Sequence, residues 1–363
     1  MNLTILGLGS AVPPIRVRQE DAAAVARVVT GCDERQGALL ATLYRQTEID
    51  ARHMVPGQHE LVAALEHVAQ GRNGCVPRDP AERGPGTAER MQLYAREVLG
   101  LAQPAAAQAL EQARVAASEI THLVTVSCTG FAAPGLDMGL IETLGLVRSV
   151  QRTHVGFMGC HGAFNGLAVA RAFAAEPGAR VLICAAELCS LHYHYPWDVK
   201  RAVGNALFAD GAAALVGASR PGPDWQLTAT GSYLFPESAS AMTWTIGDHG
   251  FEMTLSPRVP GLIARHLRPW LEGWLAGHGL ALDEVSSWAL HPGGPRVLAA
   301  VEEALALPTG SAWASRAVLA AYGNMSSATI LFILDRLRQA AAPRPCVALG
   351  FGPGLVAEAM LFR

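Results

Sequence analysis

Short apolar runs alternate along the chain with longer stretches of helical period. Residues 120–127 (ITHLVTVS), 179–184 (ARVLIC) and 346–350 (CVALG) are short, continuous in apolar or β-branched residues, and predict strands. Alanine-rich stretches predict helices over 86–99, 104–117, 162–175, 297–305 and 325–339. Strands with no polar face need cover on both sides, so the pattern predicts α/β layers with buried sheets. Residues 1–7 (MNLTILG) carry no basic segment and run into Pro13-Pro14, so they read as a first strand and not as a signal peptide. Residues 219–223 and 257–260 are turn-rich. The former, continuing through Asp224 and Trp225, marks the expected domain boundary. Residues 71–86, rich in Gly, Pro and Arg, predict an irregular surface loop, and no short repeat is visible.

Length and composition narrow the class. A chain of 363 residues accommodates about two domains. Half of the residues are apolar and 16 % are charged, which describes a large core and excludes a disordered chain. The formal net charge of −3 excludes a global basic field for nucleic acid. Apolar runs fall short of the ~18 residues of a membrane span, so the mean hydropathy of +0.22 reflects buried Ala, Val and Leu. The seven cysteines (Cys32, Cys75, Cys128, Cys160, Cys184, Cys189, Cys346) are odd in number and form no CxxC pair. That argues against a disulfide framework and for a reducing cytoplasm. A single lysine, Lys200, stands among arginines, which reads as a genomic base-composition bias rather than as phosphate binding.

Three motifs are weak. Gly7-Leu8-Gly9 opens like a dinucleotide fingerprint, but Val12 takes the place of the third glycine and two prolines follow. Gly350-Phe351-Gly352-Pro353-Gly354 follows a strand without room for a βαβ unit, and reads as backbone that approaches something closely or as a tight turn. His192 and His194 lack a carboxylate or cysteine at metal-ligand spacing, so no metal is expected.

Cys160 carries more. It stands between Gly159 and Gly162 where a strand gives way to a helix. A thiol held beside the free N–H groups of a helix start is expected to have a lowered pKa, whereas the commoner fate of a cysteine is burial. His291 ends the strand-like 287–290, and Asn324 opens the helix after Tyr322-Gly323. Each has a plain reading, a core histidine and a helix N-cap. At the carboxyl edges of strands in a layered α/β fold, the three together fit a thiol with a base and an amide donor.

With those residues in view, the sequence resembles the type III polyketide synthases, the chalcone synthase-like family of the thiolase superfamily. The matching strings are VTVSCTGF (124–131), Gly159-Cys160, ALFADGAA (206–213), HPGGP (291–295), YGNMSS (322–327) and GFGPG (350–354). The resemblance implies a thiolase-like αβαβα fold of two similar halves, 1–220 and 221–363, working as a homodimer. It implies that Cys160 carries the acyl chain as a thioester, with His291 as an imidazolium stabilising the thiolate. His291 and Asn324 would then hold the malonyl-CoA carbonyl while loss of CO₂ leaves an enolate, a charge that fixed donors stabilise. The substrates would be malonyl-CoA and an acyl-CoA or carrier-protein-bound starter, with no metal or redox cofactor.

The same resemblance makes Phe208 a gatekeeper between coenzyme A tunnel and cavity, with Met253 at a second gatekeeper position. It puts Cys128, Thr129, Cys189, His192, Trp244 and Ser326 on the cavity wall. Gly350, Phe351, Gly352, Pro353 and Gly354 would form the floor. Of the basic stretch that holds coenzyme A phosphates in plant enzymes, Arg45 and Arg52 are left, and Arg296 is a third expected contact. Ala133 replaces a methionine that a neighbouring plant subunit inserts.

Met253 and Ala133 favour a long acyl starter giving alkylpyrones or alkylresorcinols. Cys128 and a narrowing Trp244 favour instead a malonyl-primed aromatic product such as tetrahydroxynaphthalene. Two other classes stay open. A single-round ketoacyl synthase III or a thiolase is one, the latter needing a second cysteine where Cys346 is badly placed. A redox protein using Cys184 and Cys189 is the other.

Overall fold

The computed structural model describes residues 2–71 and 83–363, so most of the expected 71–86 loop, Cys75 included, lies outside the described residues. The chain opens with β1 (Leu3–Ala11), β2 (Ile15–Arg18), α1 (Gln19–Val29), α2 (Glu34–Arg45), β3 (Ala51–Met54) and α3 (His59–Ala69). The first large layer follows: α4 (Thr87–Ala113), β4 (His122–Ser127), α5 (Leu136–Leu144), β5 (Gln151–Gly156), α6 (Gly162–Phe173), β6 (Arg180–Leu188), α7 (Val199–Leu207) and β7 (Asp210–Ala218). The rest is β8 (Gln226–Leu234), β9 (Met242–Gly247), β10 (Gly250–Leu255), α8 (Val259–Ala276), β11 (Ser287–Leu290), α9 (Pro295–Leu305), α10 (Trp313–Tyr322), α11 (Thr329–Gln339), β12 (Cys346–Gly352) and β13 (Val356–Phe362).

Nine strands make one mixed sheet in the order β11, β12, β13, β8, β1, β7, β6, β4, β5. It is two half-sheets meeting at a narrow seam, where β1 pairs with β8 only through Leu3↔Leu227 and Thr4↔Gln226. Alternation along each strand shows what covers each face. In the first half, Val181, Ile183, Ala213 and Leu215 pack with α6 and α11, while Leu182, Cys184, Ala214 and Val216 pack with α4 and α5. In the second half, Ala348, Met360 and Phe362 face α6 and α11, while Val347, Leu349 and Leu361 face α8 and α9. The helices α6 and α11 therefore serve both half-sheets, and the layers run αβαβα. A cap of α1, α2 and α3 with β2 and β3 encloses a separate apolar cluster around Val17, Ala22, Val25, Tyr44 and Leu61.

Two local expectations are corrected. The helices expected over 86–99 and 104–117 are one helix, α4, with Pro104 inside it. Proline removes one backbone hydrogen bond there, but Leu101, Ala102, Ala105, Ala106 and Ala109 bury a continuous face that holds the helix together. The turn expected at 257–260 is the start of α8, where Pro260 falls among the first helical positions and its missing N–H costs nothing. Gly7 and Gly9 of β1 are explained by α4 too: a Cβ on either would overlap the α4 backbone at Ala109 or Ala105. The Gly-Leu-Gly string is a helix-to-strand contact, not a phosphate cradle.

Candidate active site

The nucleophile turn begins at the end of β5. Phe157 and Gly159 both take positive φ, 59° and 74°, and Cys160 follows in a 3-10 turn that leads into α6. A Cβ on Gly159 would overlap Pro353, so the loop after β12 packs directly on this elbow. Cys160 is half-buried, whereas the other described cysteines are buried.

His291 reaches the same place from the end of β11, and Asn324 from the connection between α10 and α11. The His291 N–H donates to Leu349 O at 2.8 Å, which continues the pairing of β11 with β12. The imidazole is buried and neither ring nitrogen has a partner. The Asn324 N–H donates to Leu207 O and its carbonyl accepts from Ala209 N, both at 2.9 Å, which locks it beside Phe208. Its Oδ1 accepts from Ser326 N at 2.9 Å, leaving the amide N–H to the Cys160 thiol. The Ser326 hydroxyl also donates to that thiol, at 3.7 Å. Cys160, His291 and Asn324 line one narrow cavity of about 20 Å³, together with Phe208, Met242, Met253, Val297 and Phe351.

The charge state differs from the expectation. Burial pushes the Cys160 thiol up to about 11, against hydrogen bonds from Ser326 and Asn324 that pull it down. Burial brings His291 down to about 3, with His161 acting in the same direction. Both shifts run opposite in direction to the expected lowered thiol pKa and imidazolium, because burial favours the neutral form of each group. The thiol opens only onto protein-walled cavities, and desolvation outweighs the helix start.

On its other side Cys160 opens into a larger cavity of about 130 Å³. Its wall includes Cys128, Thr129, Cys189, His192, Trp244, Ser326 and Pro353, with Phe208 and Met253 lining both cavities. The wall is hydrogen-bonded. Trp244 Nε1 donates to Cys128 O at 2.8 Å. His192 Nδ1 accepts from Phe251 N at 2.9 Å, so its Nε2–H is the donor to Thr129 O at 2.7 Å. Both nitrogens are thus engaged, burial brings the ring down to about 3, and it stacks on Phe251 at 4.1 Å. His192 offers the cavity a ring face rather than a metal ligand.

The floor shrinks from the expected five residues to two. Pro353 lines the larger cavity and Phe351 the smaller. Gly350 and Gly352 sit behind the wall, where a Cβ would overlap Phe164 or His161, and Gly354 lines neither.

Arg52 is corrected as a phosphate contact. Its guanidinium donates to Asn205 O at 2.6 Å and Phe208 O at 2.7 Å, and lies over the Tyr44 ring. It clamps the end of α7, next to the gate. Arg45 is exposed and donates to Thr42. Arg296 is exposed at the start of α9, beside Val297 of the smaller cavity.

Three features were missed by the sequence reading. Arg258, exposed, precedes Val259 at that same cavity. Glu187, fully buried on β6, accepts from Cys128 N, Thr129 Oγ1 and Ser127 Oγ, and from Ser327 Oγ. Burial holds its carboxyl above the ordinary value although these donors pull the other way. Residues of α1 and α3 also line the larger cavity. Only Glu187 left a signal, as a lone acid at the end of an otherwise apolar strand.

The remaining cysteines settle two alternatives. Cys346 begins β12, at the end opposite Gly352, away from the site. Cys184 faces α4, its thiol donating to Ala102 O at 3.8 Å, whereas Cys189 faces the cavity, so the two are not a redox pair.

A thiol elbow, an imidazole and an amide converging at the strand ends of an αβαβα fold define a thiol-based acyl-condensing enzyme. Sequence models of chalcone and stilbene synthases match residues 2–221 with the N-terminal domain and 226–363 with the C-terminal domain. The chain is 38 % identical to a 1,3,6,8-tetrahydroxynaphthalene synthase of Streptomyces peucetius over 73 % of each chain. It is 32 % identical to the alpha-pyrone synthesis polyketide synthase-like Pks18 of Mycobacterium tuberculosis, covering 99 % of this chain and 90 % of that one. The crystal structure of PKS-I from the brown alga Ectocarpus siliculosus superposes with a TM-score of 0.89 at 32 % identity, over 100 % of this chain and 98 % of that one. The chain belongs to the chalcone and stilbene synthase family. It is a type III polyketide synthase, an acyltransferase.

Proposed function

We propose that the protein extends a long-chain acyl starter, held on Cys160, with malonyl-CoA, and cyclises the product to alkylpyrones or alkylresorcinols. The observation that carries this reading is the apolar part of the larger cavity's wall. Val17, Ala22, Val25, Met54, Leu61 and Leu65 contribute it, side chains from the cap, beside polar wall residues such as His53, Tyr193 and Asn205. An apolar arm walled in this way suits an alkyl chain.

In the proposed cycle, neutral His291 takes the proton of the Cys160 thiol as the thiol attacks the starter thioester. The proton leaves on the coenzyme A sulfur. His291 and Asn324 then donate to the malonyl thioester carbonyl, CO₂ departs, and the enolate carbon attacks the Cys160 thioester. The C–S bond to Cys160 breaks, the sulfur regains a proton, and the lengthened chain, now on coenzyme A, reloads Cys160 for the next round. The cycle moves carbon and protons without net redox change, so it calls for no metal or redox cofactor. Coenzyme A would enter by the smaller cavity, whose mouth has Arg258 and Arg296 for its phosphates.

The halves 1–220 and 221–363 are proposed as the two structural units. A homodimer is proposed through the exposed edge strand β5, beside which Phe131, Met138, Val147 and Met158 are exposed. A cytoplasmic setting is supported by the free thiols of Cys128, Cys160, Cys184, Cys189 and Cys346. No helix among the described residues is long and apolar enough to cross a membrane.

A second reading, malonyl priming to a compact aromatic product, is favoured by Trp244, pinned across the chamber by its bond to Cys128. Mass spectrometry of products from malonyl-CoA alone, and with a ladder of acyl-CoA starters, separates the two. A buried methylene contributes about 0.8 kcal/mol, so kcat/KM should rise about fourfold per carbon until the arm is full. An aromatic pentaketide from malonyl-CoA alone, with no response to chain length, would replace the lipid reading. Cys160→Ala should form nothing from any starter.

A further inference from the structure

Directly behind the nucleophile the middle helix layer holds a chain of polar side chains. There Glu358 of β13 faces α6, taking an N–H from Asn165 at 3.2 Å and an O–H from Ser232 of β8 at 2.8 Å. With its Nδ2 committed to the carboxylate, Asn165 turns its Oδ1 to His161 and accepts from Nδ1 at 2.9 Å. A neutral His161 so held carries its hydrogen on Nδ1 and a lone pair on Nε2. That Nε2 is buried without a partner, in a residue only 2 % exposed. The ring occupies space that Gly352 leaves open, since a Cβ there would overlap Cδ2 and Nε2. It therefore stands at the end of β12, beside the strand whose end carries His291. The His291 N–H donates to Leu349 O, three residues before Gly352, so a positive charge on either ring disfavours one on the other.

We propose that His161 is a positioning residue for the catalytic proton: its vacant Nε2 competes with His291 for one positive charge, and the Ser232–Glu358–Asn165 chain sets how strongly. The inference rests on Cys160 as nucleophile and His291 as its base. In loading, the Cys160 S–H bond breaks as the sulfur bonds the starter carbonyl carbon. The C–S bond to coenzyme A breaks, and the proton passes through the imidazole to the departing sulfur. Only a neutral His291 can take that proton, and a second positive charge beside His161 is disfavoured. The other titratable or charged groups around the two rings are Cys160 on the same turn, Cys128 after β4, Glu187 on β6, Glu358 on β13, Arg171 farther along α6 and Cys346 at the far end of β12.

The test is single-turnover loading from an acyl-CoA, read as released coenzyme A thiol after stopped-flow pH jumps, for wild type, His161→Gln and Glu358→Gln. The acid limb of the profile marks protonation of His291. Without the competing charge His291 keeps its proton to higher pH, so in His161→Gln the limb moves up by roughly half a pH unit, about threefold in rate on its acid side. Glu358→Gln weakens the hold of His161 on a proton and moves the limb the same way by less. A slower rate with the limb unmoved in both variants assigns His161 to packing alone and overturns the proposal. Coenzyme A release by Cys160→Ala would overturn the nucleophile assignment, and this inference with it.

Discussion

Glu187 gathers the loops that wall the larger cavity, and removing it has a calculable cost. The carboxylate takes the Cys128 N–H at 3.0 Å, the Thr129 hydroxyl at 2.7 Å and the Ser127 hydroxyl at 3.4 Å, and also the Ser327 hydroxyl. The first three donors follow or end β4, and the fourth lies in the turn after Asn324. Glu187→Ala leaves the Cys128 N–H buried with no acceptor, at about 2 kcal/mol, and loses three hydroxyl bonds at about 1 kcal/mol each. The total is about 5 kcal/mol. An unfolding entropy of about 2.1 cal/mol/K per residue is about 0.8 kcal/mol/K for 363 residues, so Tm should fall by roughly 7 °C. Glu187→Gln keeps the shape and one acceptor oxygen, and the hydroxyls turn to meet its amide. Its cost is about 1–2 kcal/mol, a shift of roughly 2 °C. Thermal melts of the three proteins, with single-turnover loading of Cys160 measured alongside, read both effects. If Glu187→Ala melts within about 1 °C of wild type, the carboxylate does not hold these loops and the reasoning fails.

Gly352→Ala should destabilise the protein by the roughly 1–3 kcal/mol of an overpacked core and slow loading, because the new Cβ meets the His161 ring behind the nucleophile; wild-type loading rates would contradict this. Arg52→Ala should destabilise the protein and slow turnover by freeing the Asn205 and Phe208 carbonyls, with KM for coenzyme A thioesters unchanged. A raised KM with an unchanged melt would return Arg52 to the phosphates. Asp210 accepts from Ser190 N, Ser190 Oγ and Val55 N, and burial pushes its carboxyl up to about 6. Because that lies above the ordinary aspartate value of 3.8, its contribution is fully present below about 3.8 and is lost as pH rises through about 6, by at most about 3 kcal/mol. Denaturant midpoints of Asp210→Asn and wild type should therefore converge or cross in favour of the variant between pH 4 and 7; a constant difference would refute the assignment.

The apolar runs at 120–127, 179–184 and 346–350 became β4, β6 and β12, because strands buried on both faces leave a continuous apolar signature. Cys160, His291 and Asn324 were legible for a related reason. Cys160 and His291 each follow a strand and precede a helix, whereas Asn324 lies between α10 and α11 and is held at the same edge by its backbone bonds to Leu207 and Ala209. What escaped the sequence depends on pairs distant along the chain. Pro104 looks like a stop until the face of α4 is laid on β1. Arg52 looks like a free cation until Asn205 and Phe208 come within reach. Val25 and Leu61 pack in the cap core and also line the larger cavity, a pairing of α1 with α3, which lie far apart along the chain. At Cys160 the helix start is local and visible in the sequence, whereas the desolvation that pushes the thiol up is set by everything that closes over it.

The two-residue seam between β1 and β8 has a consequence for how the protein is made. The first strand synthesised lies at the middle of the finished sheet, pairing with β7 on one edge and touching β8 on the other. Some 200 residues separate it from both, or about 10–40 s of translation at 5–20 residues per second. Through that interval β4, β5 and β6 can associate as parallel neighbours, but β1 has no hydrogen-bonding partner on either edge. Then β7 and β8 emerge almost together. The chain is therefore most exposed to misassembly just before its midpoint is complete, and a nascent chain arrested short of β7 is the species a chaperone would meet.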